Sequence, residues 1–248
     1  MHSVVEKPLS GLAAEGLRVQ QGPHLLLESV SFHIHPGQIV GLLGPNGAGK
    51  TTTFRALTGL LPLAAGNVLL NGKPLKGPLH RRIRSGLSYL PQKPSLIEGL
   101  NVEQQLHVAL EARGESPALA QAFLDRLGVG ALAKRSVRDL SGGEVRRVEI
   151  ARCLATNPQI VLLDEPFAGL DPKAISTLKE RVRELAQSGL GVLITDHAVR
   201  ETMPLCDHVL LLVQGRVVAQ GTPSEIEANP TARSRWLGQD WSSETSPN

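Results

Sequence analysis

The sequence predicts an α/β fold, in which a core of buried strands and helices carries an antiparallel β layer and an inserted helical subdomain. Three observations predict it. Ile39–Leu43, Ile160-Val161-Leu162-Leu163 and Val192-Leu193-Ile194 are short runs that are almost wholly apolar, as strands buried on both faces are. Residues 101–139 and 171–185 repeat their apolar residues at helical spacing. Residues 1–38 and the stretch around residue 70 instead hold short strand-like pieces divided by turn signals.

At the start of the chain, Leu25-Leu26-Leu27 and then Val30, Phe32 and Ile34 give two short strand-like stretches, closed by the turn Pro36-Gly37. Val68, Leu69 and Leu70 make a further strand, followed by the hairpin signal Asn71-Gly72. His80-Arg81-Arg82-Ile83-Arg84 reads as a solvated basic helix face, or as a contact for an acidic partner. Asn101 with Gln104 has capping-box spacing, and Val102, Leu106, Ala109 and Leu110 follow on one face. Ser116-Pro117 offers a second helix start, with Leu119, Phe123 and Leu127 assigned to its buried face. Asp171-Pro172 starts a helix whose Ile175, Leu178, Val182 and Leu185 recur at core spacing. Residues 209–213 and 217–219 form a closing hairpin, Trp236 is placed to anchor a last helix, and the polar stretch 241–248 is expected to be a disordered tail.

Bulk properties narrow the classes. A chain of 248 residues suits one domain with subdomains, here assigned to residues 1–240 with the helical insertion at about 93–140. The net charge of +3, from 26 basic and 23 acidic residues, gives no reason to expect a nucleic-acid partner. Cys153 and Cys206 lack metal-site spacing and suit a reducing compartment. Charges at Glu6, Lys7, Glu15 and Arg18 interrupt the region where a signal peptide would have its apolar core, and the apolar runs are too short to span a bilayer. A soluble protein is expected, linked to any membrane through a partner.

The chemistry begins at Gly44-Pro45-Asn46-Gly47-Ala48-Gly49-Lys50-Thr51, which has the pattern G-x-x-x-x-G-K-T. A strand breaking into a glycine-rich turn and then a helix, with Phe54, Leu57 and Leu61 facing a core, aims backbone N–H groups at one point. That point attracts phosphates at the positive end of the helix dipole. Lys50 reaches the β- and γ-phosphates, the Thr51 hydroxyl suits Mg²⁺, and Thr52 and Thr53 lie within reach of further contacts. The apolar strand ending in Asp164 and Glu165 supplies one carboxylate for the Mg²⁺ shell and one to polarise an attacking water. Asp196 and His197 follow a second such strand, and His197 is a candidate γ-phosphate contact. In Leu140-Ser141-Gly142-Gly143-Glu144 a plain capping box explains Ser141 and Glu144. Two glycines in a first helical turn cost up to about 1 kcal/mol each, and they point to a group, naturally a phosphate, that approaches the exposed N–H groups.

Together these stretches resemble the nucleotide-binding domain of ABC transporters over nearly the full chain: GPNGAGKT at 44–51, Gln92, LSGGE at 140–144, IVLLDEP at 160–166, GLD at 169–171 and His197, in that order. The resemblance implies a RecA-like P-loop core and a head-to-tail homodimer. Two ATP molecules would be sandwiched, each between the phosphate loop of one copy and Ser141, Gly142 and Gly143 of the other. It implies that Gln92 joins Thr51 in the Mg²⁺ site, that Glu165 is the general base or water positioner, that His197 holds the γ-phosphate, and that Asp171 communicates across the dimer. It also implies transmembrane permease subunits docking near residues 92–100. Leu96, Ile97 and Leu100 are the apolar candidates there, equally placed to be core of the helical subdomain.

Within that superfamily the run SGGEVRRVEIAR at 141–152, DEPFAG at 164–169 and LGVLITDHAVRET at 190–202 most resembles the ATPases of lipopolysaccharide export. The ATPases of branched-chain amino-acid importers are the alternative. The export resemblance implies a peripheral protein at the cytoplasmic face of the inner membrane. One departure stands out. The region where ABC ATPases usually place an aromatic residue to stack on adenine reads Val19-Gln20-Gln21-Gly22-Pro23-His24. Weaker nucleotide affinity and looser base selectivity are expected, with His24 or a glutamine stem as partial replacements.

Overall fold

The computed structural model describes residues 10–237; the expected tail at 241–248 lies outside them, as do both ends of the 1–240 span. The chain opens with β1 (Leu12–Gln21) and β2 (His24–Ile34), runs through β3 (Ile39–Leu43) into α1 (Lys50–Thr58), and returns to β4 (Ala65–Leu70) and β5 (Lys73–Pro74). Next come α2 (Leu79–Arg84), β6 (Leu87–Leu90), α3 (Val102–Glu111), α4 (Ala120–Arg126) and α5 (Gly142–Ala155). The second half alternates β7 (Ile160–Asp164), α6 (Pro172–Gln187), β8 (Gly191–Thr195) and α7 (Val199–Thr202) before β9 (His208–Val213), β10 (Arg216–Gly221) and α8 (Pro223–Ala228).

Two sheets form among the described residues. A four-stranded antiparallel sheet has the order β2-β1-β4-β5, and a six-stranded sheet has the order β10-β9-β3-β8-β7-β6. In the larger sheet all pairings are parallel except that of β10 with β9. Every residue of β3, β7 and β8 is buried, which is why these strands are uninterrupted apolar runs rather than alternating ones. One core cluster joins Phe54 and Leu57 of α1 to Val40 and Leu42 of β3 and to the antiparallel sheet. The other packs Leu106 of α3, Leu124 of α4, Val148 of α5 and Leu178 of α6 against the opposite side of the same strands. Trp236 packs against this second cluster.

Several local expectations are corrected. Residues 24–34 form a single strand, because Ser29 at φ 55° takes up the irregularity without ending the pairing to β1, a strand with no distinct signal of its own. On α4 the buried positions are Ala120 and Leu124, continued by Leu127, while Leu119 is exposed and Phe123 half-buried. A 3₁₀ turn at Pro117–Leu119 precedes the helix and rotates its register. The basic run on α2 is not wholly solvated. Arg82 is buried and donates to Gly77 O, Ala56 O and Leu57 O, so its guanidinium satisfies carbonyls at the negative end of α1.

Candidate functional site

The parallel strands end together, and the site lies where they end. β3 runs into the phosphate loop, and the loop is pressed against β9. A Cβ added at Gly44, where φ is 151°, would lie 2.0 Å from Leu212 O, so that position admits only glycine. Lys50, the first residue of α1, is 7% exposed, and its Nζ donates to Gly44 O at 2.7 Å and to Pro45 O at 3.0 Å. Burial lowers the Lys50 pKa, while Glu165 and Asp164 oppose that shift. The ammonium thus folds back over its own loop.

β7 and β8 are in register with Asp164 opposite Thr195. Asp164 is 1% exposed; its Oδ2 accepts from the Tyr89 hydroxyl at 3.1 Å, and its buried Oδ1 has no hydrogen-bond partner among the described residues. Burial pushes its carboxyl pKa up. Glu165 has φ 50°, a conformation that costs a non-glycine residue about 1 kcal/mol or more. Its N–H donates to Thr195 O at 2.8 Å, which ties the turn to β8. Glu165 accepts from Gln92 Nε2 at 2.5 Å and stands 2.7 Å from His197 Nε2. Residues from three separate stretches of sequence thereby meet around one carboxylate.

A cavity of about 420 Å³ opens over this group, lined by residues 46–52, Glu165, His197, Leu25, Leu26, Gln214 and Gly215. Its wall contains no Phe, Tyr or Trp; Leu25, 42% exposed, and Leu26 stand there instead. His24 and Gln20 do not line it, and the Gln20 side chain is bound to Gly22 O. Gln92 and Asp164 do not line the cavity; Gln92 bonds to Glu165, which does, and Asp164 precedes Glu165 in the chain.

Ser141, Gly142, Gly143 and Asp171 lie outside that cavity. Ser141 and Glu144 form the expected capping box on α5, and Asp171 caps α6 by accepting from Ala174 N. Gly143 has a reason within its own chain as well: a Cβ there would lie 2.8 Å from the Cβ of Ala174. The close approach of α5 and α6 accounts for one of the two glycines. Gly142 meets only Leu170, at 3.4 Å.

The sequence reading gave no role to three features of the site. Tyr89 precedes Gln92 by three residues and holds Asp164. Arg146 of α5 donates to Pro91 O and Gln92 O and pairs at 2.9 Å with Glu149, which also accepts from Ser95 N and Oγ. Asp196 accepts from backbone N–H groups of the two turns that carry Glu165 and His197. The three-residue spacing of Arg146, Glu149 and Arg152 along one helix face was the available signal for the second feature.

The sequence matches the ABC transporter family over residues 27–168. The lipopolysaccharide export system ATP-binding protein LptB of Escherichia coli (strain K12) is 42% identical over 239 residues, spanning 94% of this chain and 99% of that protein. LptB of Haemophilus influenzae is 39% identical over the same length and coverage. The ADP conformation of MJ1267, an ATP-binding cassette of an ABC transporter, superposes with a TM-score of 0.83 at 26% identity, covering 92% of this chain and 99% of that one. With the phosphate loop, the carboxylate pair and His197 arranged as described, the chain belongs to the ABC transporter family as one of its ATP-binding proteins.

Proposed function

We propose that this chain is the ATP-hydrolysing subunit of a transporter that drives lipopolysaccharide export from the inner membrane. The observation that carries the chemistry is the convergence of Gln92, Glu165 and His197 at the mouth of the phosphate-loop cavity. Support for the cargo comes from relatives 39% and 42% identical over 94% of the chain, named as lipopolysaccharide export ATP-binding proteins.

In this reading residues 44–52 bind the ATP phosphates, with backbone N–H groups and Lys50 as donors. Lys50 exchanges its bonds to Gly44 O and Pro45 O for phosphate oxygens. Glu165 orients and deprotonates the attacking water, and His197 contacts the γ-phosphate. Thr51, Gln92 and Asp164 would hold Mg²⁺. The partnerless, buried Oδ1 of Asp164 fits a cation shell, as it has lost water without gaining a donor. When bound, the ion neutralises charge developing on the phosphates.

Ser141, Gly142, Gly143 and Asp171 lie away from their own cavity, which is consistent with a head-to-tail homodimer in which they serve the partner copy's ATP. Permease subunits dock near residues 92–100. There Ile97 is 45% exposed, which supports its availability to a partner, while Leu96 packs partly buried against the core. No helix among the described residues is long and apolar enough to cross a membrane. The protein sits peripherally at the cytoplasmic face through those partners.

The test is a pull-down from native membranes with tagged Glu165→Gln protein, ATP and Mg²⁺. Two homologous membrane proteins with lipopolysaccharide are expected. Importer-type permeases with a bound solute would move the assignment to the amino-acid importers, and ribosomes or DNA without membrane protein would defeat both transport readings.

A further inference from the structure

Asp196 stands one residue beyond β8, beside the turn that presents Glu165. It is 3% exposed, and both its carboxylate oxygens accept backbone N–H groups. Oδ2 accepts from Phe167 at 2.9 Å, and Oδ1 accepts from Ala198 at 2.9 Å. Phe167 is two residues past Glu165, and Ala198 is one residue past His197. One buried carboxylate therefore anchors the two turns that carry the two catalytic side chains.

Each turn needs an anchor. Glu165 sits at φ 50°, and its turn closes on itself through Ala168 N to Glu165 O at 3.3 Å and Leu170 N to Phe167 O at 3.2 Å. A backbone held in a sparsely populated region persists when its surroundings over-determine it, and the Phe167 N–H bond to Asp196 adds a side-chain anchor to the Glu165 N–H bond to Thr195 O. On the other side, Ala198 N to Asp196 and Val199 N to His197 O at 2.9 Å fix the bend that aims His197. The result is the 2.7 Å approach of His197 Nε2 to Glu165 Oε1.

We propose that Asp196 is a positioning residue for ATP hydrolysis: by accepting from both turns it sets the separation of Glu165 and His197. The inference rests on the ATPase reading above. An asparagine cannot replace it. An amide has one accepting oxygen, and its NH₂ would face the other backbone N–H donor, so one anchor is lost in either orientation.

The test uses the full chain as parent, Asp196→Asn, Asp196→Glu and, for reference, Glu165→Gln. Steady-state kinetics, affinity for a fluorescent ATP analogue, thermal midpoint and the imidazole resonances of His197, assigned with His197→Gln, are measured together. Asp196→Asn is expected to lower kcat about 10²-fold, the loss expected of a misplacement near 1 Å. KM and analogue affinity stay within about threefold, and the His197 resonances move. Parental kcat in Asp196→Asn, or a fall in kcat with His197 resonances unmoved, overturns the proposal. Should Asp196→Asn fail to fold, Asp196→Glu decides. It keeps the charge one methylene further out, so reduced kcat at unchanged analogue affinity is expected, and parental kcat overturns the proposal. Absence of ATP turnover in the parent would instead defeat the ATPase reading on which the inference rests, and parental turnover in Glu165→Gln would remove Glu165 from the role that Asp196 is said to position. With Glu165→Gln inactive, a fully active Asp196→Asn defeats only the positioning role.

Discussion

Replacing Glu149 by glutamine removes the anion from the most deeply buried ion pair among the described residues. Glu149 is 0% exposed and Arg146 is 5% exposed, and their side chains meet at 2.9 Å. Breaking such a pair on one side costs about 3–5 kcal/mol, because the remaining charge stays buried without compensation. Here the upper half of that range applies. Arg152 also reaches Ser95 O and Oγ, so the change leaves two guanidinium groups and no carboxylate around one short segment. For a chain of this size about 2–4 °C is lost per kcal/mol, so the thermal midpoint should fall by roughly 8–20 °C. Urea and thermal unfolding of the full chain, followed by two probes, measure it. The double variant Arg146→Met/Glu149→Leu should lose less than Glu149→Gln alone, since an apolar pair carries no stranded charge. A loss below about 1 kcal/mol for Glu149→Gln, the value of an exposed pair, would refute the reasoning.

Further predictions concern the helix starts and the nucleotide. Gly143→Ala gains up to about 1 kcal/mol of helix propensity. It also drives a methyl to 2.8 Å from Ala174 Cβ, an overpacking cost of about 1–3 kcal/mol. Net destabilisation is expected, relieved by a second substitution Ala174→Gly; an increase in stability would contradict the packing account. The Glu144 carboxyl is held below its ordinary pKa by the Ser141 backbone N–H and then by the Ser141 hydroxyl. Its folded pKa is depressed, so its contribution is present above the ordinary carboxylate pKa and is lost as pH falls through the lower folded value. The stability difference between parent and Glu144→Gln should therefore shrink on acidification; a pH-independent difference would count against it. With leucines and no Phe, Tyr or Trp on the cavity wall, the chain forgoes a stacking term worth about 1–3 kcal/mol per base. ATP and GTP should compete with comparable affinity, and Leu25→Tyr should tighten ATP binding. Strong ATP preference at micromolar affinity in the parent would contradict this.

The candidate site was legible in sequence because its parts are short and carry their own context. Lys50 follows a glycine-rich turn, and Glu165 and His197 each follow an apolar strand that is buried throughout. Strands of that kind end where ligands bind in open α/β sheets. What stayed hidden depends on contacts between distant segments. The burial of Arg82 follows from the end of α1, some 25 residues earlier, which no local charge pattern reports. On the face of Phe123 and Leu127, Leu119 alone is exposed, because it closes a 3₁₀ turn and lies outside α4. Gly143 was read as an opening for phosphate, while its contact with Ala174 depends on α6 lying across α5. Asp196 is separated from Phe167 by 29 residues and acts on backbone donors, which leave no trace in residue type.

The central claim is that Glu165 activates the water in an ATP site built by residues 44–52. Turnover and ATP affinity of Glu165→Gln, measured side by side with the parent, test it most directly. Retained binding with hydrolysis lowered by about 10²-fold or more is the predicted result. Near-normal turnover would remove Glu165 from the role and leave the convergence of Gln92 and His197 upon it without a chemical purpose.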